Sequence, residues 1–430
     1  MRKFILIKLF SVVLLTGLFS QEYWIRVPSP TTKWLLKCHF IDTVYGWACG
    51  ELGAIIHTSN GGVNWVVQNS EISSFSIDDI FFTSKYNGWA LSNDYLFTGT
   101  IILRTTNGGQ TWTNSRFGDT SVVIYSVYFL DSLTGFLGGS FPGKIFKTSN
   151  GGANWFECNI DTAFCPYLYL FPKYDFAFLN VNTGYACGGQ IDIAGMMWKT
   201  TDGGLNWKTY CVTPEPLYNI KIINAAKILA TGGDFEYGMA LAVSWDSGNT
   251  WIYHNTELFG VGGSLAFRTT TEVWVPLSFA QKWGLHLDSA DINTSWLLID
   301  TPDSTSVYYA QFVTPTFGWA VGSNGAILKY NSGVIGIPQN QVPVRNALFQ
   351  NYPNPFNPAT TISYYIAKAS YVKITIYDLL GKQLHVFFEG TKPAGYHKLK
   401  FSNFGLASGV YFYKLEAGDF VESKKMVIVK

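Results

Sequence analysis

Four carboxylates and five aromatic residues are the groups in this chain best placed to do chemistry. Asp94, Asp192, Asp234 and Glu236 fall in short polar stretches between apolar runs, and Tyr95, Tyr167, Tyr169, Tyr237 and Trp283 stand in the same or similar stretches. Two carboxylates roughly 5–9 Å apart can cleave a glycosidic bond, one as acid and one as base or nucleophile. The same acids among aromatic rings can instead hold a sugar or a peptide segment without breaking it. No motif selects one pair of acids for catalysis. A GxSxG elbow, an HExxH helix and a phosphate-cradling glycine loop are all missing from the sequence. His39, His57, His254, His286, His385 and His397 are scattered, and no CxxC occurs. The expectation is therefore no metal site and no cofactor.

The elements that must position these groups announce themselves by repetition. "TSNGGVNW" ends at Trp65, "TTNGGQTW" at Trp112, "TSNGGANW" at Trp155, "TTDGGLNW" at Trp207 and "SWDSGNTW" at Trp251. A worn copy, "SADINTSW", ends at Trp296 and has Asn293 in the glycine place. In each copy the third side chain (Asn60, Asn107, Asn150, Asp202, Asp246, Asp291) can accept backbone N–H groups within a turn. The fifth residue (Gly62, Gly109, Gly152, Gly204, Gly248) allows positive φ. The closing Trp starts the next strand. Apolar residues such as "GAIIH" and "TIILR" precede the octapeptide, so it reads as a β-hairpin corner. The Trp spacings are 47, 43, 52, 44 and 45.

A second marker runs in parallel, at Trp47 ("GWACG"), Trp89, Phe136, Tyr185, Leu229, Trp274 and Trp319, spaced 42 to 49 residues apart. A unit of about 45 residues holding four short strands is a propeller blade. Seven markers predict an all-β, seven-bladed β-propeller. The seventh hairpin ends early at "ILKYNSG", and "YWIRV" at Tyr23–Val27 looks like its missing outer strand. Pairing the first segment with the last would close the ring and remove free edges. Loops joining second to third strands then share one face with the connections between blades. The acids and aromatics named above fall on that face, and the octapeptides on the other.

Composition and charge narrow the class. Aromatics make up 17% of the 430 residues and charged residues only 14%, enough for large buried cores. The net charge is +1, but Arg2, Lys3 and Lys8 lie before residue 21, and residues 347–430 hold ten Lys against five acids. The remaining 21–346 therefore carry −7, which argues against nucleic acid as a partner. The opening "MRKFILIKLFSVVLLTGLFSQ" reads as a signal peptide over 1–20. No later run is long and apolar enough to span a membrane. Export makes disulfides possible among Cys38, Cys49, Cys158, Cys165, Cys187 and Cys211. If Phe40 faces Trp47, then Cys38 faces Cys49 and a bridge there is one expectation; buried free thiols are the other.

The octapeptide resembles the Asp-box of bacterial neuraminidase repeats. With the "GWAxG" strand, the array over 21–336 resembles the propellers of photosystem II assembly factors and related bacterial proteins. This resemblance implies that the boxes lie away from the usual ligand face and are structural. Residues 337–346, rich in polar residues and with Pro338 and Pro343, read as a linker. Over 347–430, "NYPNPFNP", "IYDLLGK", "LASGVYFYKL" and "KKMVIVK" are similar to the C-terminal sorting domain read by the type IX secretion system. That implies an immunoglobulin-like β-sandwich, the outer-membrane translocon as partner, and an extracellular or outer-membrane-surface location.

A sialidase would need an arginine triad to grip the substrate carboxylate. The propeller region offers only Arg26, Arg104, Arg116 and Arg268, so that activity is not expected. The photosystem role belongs to phototrophs and does not carry over. What remains is a non-enzymatic binding or adhesion module for a glycan or a protein, acting as a monomer. A glycoside hydrolase using two carboxylates on the insertion-rich face is the alternative.

Overall fold

Alternating apolar and small residues in each repeat form short strands, and hydrogen bonding assembles them into sheets in chain order. The computed structural model describes residues 22–333 and 346–429, except 95–98, 121, 141–142, 162, 164, 166–170, 257, 288–295, 349–350, 352–353, 355, 367, 394 and 403–404. The chain divides into two compact units, with the boundary between Val334 and Ile335.

The first unit contains seven sheets among the described residues, antiparallel but for one added strand in the fourth. The first sheet is typical, with Leu35–Phe40, Gly46–Gly50, Ile55–Thr58 and Val66–Gln68 in sequence order. The inner strands of the next sheets are Ile77–Phe82, Val123–Phe129, Lys173–Phe178 and Leu217–Ile222. The sixth sheet starts with two short pieces, Val261–Gly262 and Ala266–Phe267, both paired with Val273–Ser278. The seventh has Val307–Thr314, Phe317–Gly322 and Ile327–Tyr330, and its fourth strand is Trp24–Val27 from the other end of the unit. Trp24 pairs with Tyr330 and Val27 with Ile327.

Buried side chains fill the spaces between neighbouring sheets. One cluster joins the first and second sheets through Trp47, Ile55, Ile80 and Leu103. Others join the second to the third, the third to the fourth, the fourth to the fifth and the fifth to the sixth. Trp24 stacks on Trp283 at 4.6 Å and meets Trp274, Phe312 and Tyr330 edge-on between the sixth and seventh sheets. The last space, between the seventh sheet and the first, holds Trp319, Val321, Leu35 and Trp65.

Polar side chains of the inner strands stitch the same sequence of sheets. His39 Nε2 meets the Phe82 carbonyl, Asp79 accepts Val127 N–H, and the Ser126 hydroxyl donates to the Lys173 carbonyl. Asp175 accepts Ile220 N–H, Asn219 accepts Leu265 N–H, and Ser264 accepts Ala310 N–H. Gln311 returns to the first sheet, accepting Phe40 N–H and donating to its carbonyl, each at 3.0 Å. Every one of these groups is an inward-facing polar atom that would otherwise cost free energy to bury.

The expected Cys38–Cys49 bridge is corrected by the register. Lys37 pairs with Cys49 and Cys38 with Ala48, so the two thiols point to opposite faces of the sheet. Both are free and buried. The disulfide is Cys165–Cys211, with Cα atoms 6.4 Å apart. It ties the connection after the third sheet to the outer strand of the fourth, where Asn159–Asp161 adds a fifth strand in parallel.

Among the described residues the second unit has two sheets around one core of Ile362, Tyr364, Ile374, Ile376, Tyr413, Leu415 and Met426. Asn351 and Phe356 of its entry segment are buried against that core. Asn351 N–H donates to the Tyr413 hydroxyl at 2.8 Å, and Phe356 exchanges backbone bonds with Val427 and Val429. Among the described residues no helix is long and apolar enough to cross a membrane.

Candidate functional site

The two ends of the sheets differ in chemistry. At one end lie the octapeptide turns. Thr58 donates its hydroxyl to Asn60 Oδ1 and accepts Gly62 N–H at 2.8 Å, while Asn60 Oδ1 accepts Asn64 N–H at 3.0 Å. The same three bonds recur from Thr105, Thr148, Thr200 and Ser244. In the last copy the Thr250 hydroxyl and amide, both donating to Asp246, hold its carboxyl down to about 2. Each turn also receives the marker aromatic of the preceding sheet. Trp47 donates its indole N–H to Gly108, Trp89 to Gly151, and the Tyr185 hydroxyl donates to Ser247. Gly62 has φ +77, and a Cβ there would lie 2.1 Å from the Trp319 ring. Trp65, Trp112 and Trp207 are buried, and Trp155 and Trp251 half-buried. Trp296 stacks on His286 at 4.8 Å, while Asp291 lies outside the described residues.

The opposite end carries a cavity of about 280 Å³. Its origin is a β-bulge at the same place in six inner strands, where one residue has no cross-strand partner. Those residues are Leu36, Asp78, Tyr125, Tyr174, Tyr218 and Tyr308, and all six line the cavity. In the sixth sheet Gly263 takes the equivalent position. The bulge turns a side chain out of the pleat and towards the mouth. Tyr174 lies between its neighbours, with ring centroids 5.4 Å from Tyr125 and 5.0 Å from Tyr218. Beneath them Lys37 Nζ pairs with Asp79 Oδ1 at 2.6 Å. Burial alone would lower the lysine pKa, but Asp79 and then Asp175 hold it above its ordinary value. Burial raises the phenols of Tyr174 and Tyr218, and the carboxylates of Glu215 and Asp234 add to the rise at Tyr218.

Beside the cavity the hairpin tips of the fourth and fifth sheets meet. Carboxylate oxygens of Asp192, Asp234 and Glu236 lie within 4.8 Å of one another. Glu215, raised by its burial, accepts Asp192 N–H at 3.1 Å. Three carboxylates at that spacing are the donor type a hard divalent cation takes. Asp234 is 3% exposed, and its Oδ1 already accepts the amides of Glu236 and Tyr237. Apolar side chains crown these tips and the next ones. Ile191, Ile193, Phe235, Tyr237, Phe259 and Phe279 are between 43% and 69% exposed.

The residues singled out from sequence are therefore divided. Asp192, Asp234, Glu236 and Tyr237 come together. Asp94 ends the strand Gly88–Asp94, and Tyr95, Tyr167 and Tyr169 lie outside the described residues. Trp283 is a correction. It lies within the strand Lys282–His286, fully buried against Trp24 and Trp274, and cannot meet a ligand. The turn in "SFAQKWG" is Phe279–Gln281, so the tryptophan falls inside the sheet.

The cavity residues were missed, although a signal exists. Each stands 11 residues before a marker: Leu36 before Trp47, Asp78 before Trp89, Tyr125 before Phe136, Tyr174 before Tyr185, Tyr218 before Leu229, Gly263 before Trp274 and Tyr308 before Trp319.

Comparison with known proteins agrees with the fold of the first unit. Residues 18–155 match the family described as photosynthesis system II assembly factor YCF48, and residues 350–429 match the secretion system C-terminal sorting domain. The photosystem II assembly lipoprotein Ycf48 of Synechococcus sp. (strain CC9902) is 23% identical over 265 residues, covering 59% of this chain and 72% of that protein. The solved structure of YCF48 bound to D1 peptide is similar with a TM-score of 0.57 at 20% identity, over 72% of this chain and 97% of that one. PorZ, a surface component of the type IX secretion system of Porphyromonas gingivalis, has a TM-score of 0.50 at 12% identity, over 92% of this chain and 59% of that one. At these identities the likeness is one of fold. The C-terminal sorting domain marks the chain for type IX export, to the cell surface or the extracellular space.

Proposed function

We propose that this protein is an exported, non-enzymatic binding module that takes a glycan or a protein segment on the face opposite the octapeptide turns. The seven sheets are the blades of one closed propeller over 21–336, completed by the amino-terminal strand. A linker at 337–346 leads to an immunoglobulin-like sorting sandwich at 347–430, which engages the translocon, and the protein works as a monomer. The observation that carries the reading is convergence. The bulge-lined cavity, the acids Asp192 and Glu236, and the exposed rings of Phe235 and Tyr237 all occupy one end of the sheets. The octapeptide end spends its polar groups on its own turns and on neighbouring sheets. A related fold is known in complex with a peptide, which is consistent with a polypeptide ligand here.

The alternative, a glycoside hydrolase, draws on the approach of the three carboxylates. Against it, Asp234 is buried and half spent on backbone amides. The test is a glycan and peptide array probed with the full chain, and with Asp192→Ala, Glu236→Ala and Tyr237→Ala combined. The reading expects array signals that the triple variant loses, and no sugar release from a polysaccharide panel. Signals unchanged in the variant would remove this face from the account, and sugar release would favour the hydrolase.

A further inference from the structure

We infer that the mouth cavity is a cation cage, and that its ligand is the ammonium or guanidinium end of a lysine or arginine side chain carried by a bound polypeptide. This rests on the reading of the cavity-bearing face as the binding face, and it narrows the ligand. The wall is aromatic and curved. From Tyr125 to Tyr174 to Tyr218 the ring planes turn by 53° and then 47°. A pyranose stacks on one flat exposed ring. Neighbouring rings at 5.4 and 5.0 Å touch one another, so a small cation would meet their cavity-facing surfaces together, where Tyr308 and Tyr309 also line the space.

The cavity already contains one ammonium bound in this way. Lys37 Nζ lies 2.6 Å from Asp79 Oδ1 and 5.6 Å from the centre of the Tyr309 ring. Asp78, one residue before Asp79 and half-buried, lines the same cavity as the tyrosines and accepts a hydrogen bond from Asn93 Nδ2 through its Oδ2 at 2.8 Å. The surrounding charge has the same sign. Glu215 and Asp234 act on Tyr218, and Glu51 acts on Tyr308. The cations that face this space are Lys37, matched by Asp79, and Lys221, buried deeper, where Tyr309 and Asp175 face it. At Gly263 the wall is interrupted, and a Cβ there would lie 2.3 Å from the Tyr308 carbonyl oxygen.

The test uses the full chain and fluorescence anisotropy with a labelled glycine-rich peptide carrying three arginines, its lysine counterpart and its glutamine counterpart. The arginine and lysine peptides are expected to bind, and the glutamine peptide is not. Replacing Tyr174 and Tyr218 together by Leu should weaken binding by roughly tenfold or more, while replacing both by Phe should preserve most of it, since the ring and not the hydroxyl holds the cation. Asp78→Asn should weaken binding with an unchanged melting temperature. Equal binding of the glutamine peptide, or full affinity in the Leu pair, would overturn the cage. So would loss of affinity only in Asp192→Asn with Glu236→Gln, which would place the cation at the rim and leave the binding face intact. Glycan signals on the array without any cationic-peptide binding would likewise sink the cage alone. Silence in both assays would remove the face as well.

Discussion

His39 shows how a single inner-strand residue links packing to solution behaviour. Its ring meets the Phe82 carbonyl at 3.0 Å and leans on Phe81. Burial holds its pKa down to about 4. In the unfolded chain an imidazole titrates near 6.5, so the unfolded state takes up a proton first as the pH falls. Stability is therefore lost between pH 6.5 and about 4, by at most about 3 kcal/mol from this residue, and no further below that range. Urea unfolding at pH 7 and pH 4.5 should show a smaller acid loss in His39→Gln than in the parent chain. An equal loss in both would mean that the imidazole is charged when folded. The residue scale also shows where sequence reading stopped. The octapeptide side chains were legible because their hydrogen bonds are local, closing within four residues. Trp283 was misread because its burial depends on Trp24, about 260 residues away in the chain. Cys38 and Cys49 were misread because the turn sets Phe40 opposite Gly46 rather than Trp47, one residue from the assumed register.

At the scale of elements, the recurring device is the bulged inner strand. Simple alternation cannot reveal a bulge, because the extra residue breaks the period of two only once. The same strands carry the polar stitching that joins each sheet to the next, so one irregularity serves both cohesion and the mouth. The strand Trp24–Val27 is the other decisive element. It was legible as a strand lacking its octapeptide, and it pairs with Ile327–Tyr330. Trp24 is 1% exposed and covers Trp274 and Trp283. Deleting residues 22–27 would uncover those rings and leave a row of unpaired strand edge. The shortened chain should melt well below the intact one and aggregate on heating. Scanning calorimetry with light scattering would show this, and a melting curve unchanged by the deletion would refute closure by this strand.

At the scale of the molecule, we assign one end of the sheets to construction and the other to a ligand, although a cavity of about 480 Å³ also lies among the octapeptide turns at Asn107 and Gly109. Octapeptides place the five described octapeptide turns from sequence alone. The second end was legible only in outline, because its cavity residues, on six different inner strands, share an offset of 11 from the markers but no common residue type. The most direct test of this division measures stability and cationic-peptide affinity side by side in two variants. Trp112→Ala, at the octapeptide end, should lose about 3 kcal/mol or more in urea unfolding and keep its affinity when folded. The Leu pair at Tyr174 and Tyr218, which gives up a ring contact, should lose less stability than Trp112→Ala and lose affinity roughly tenfold. The opposite pattern, with affinity lost at Trp112 and stability lost at the tyrosines, would contradict the assignment of the two ends.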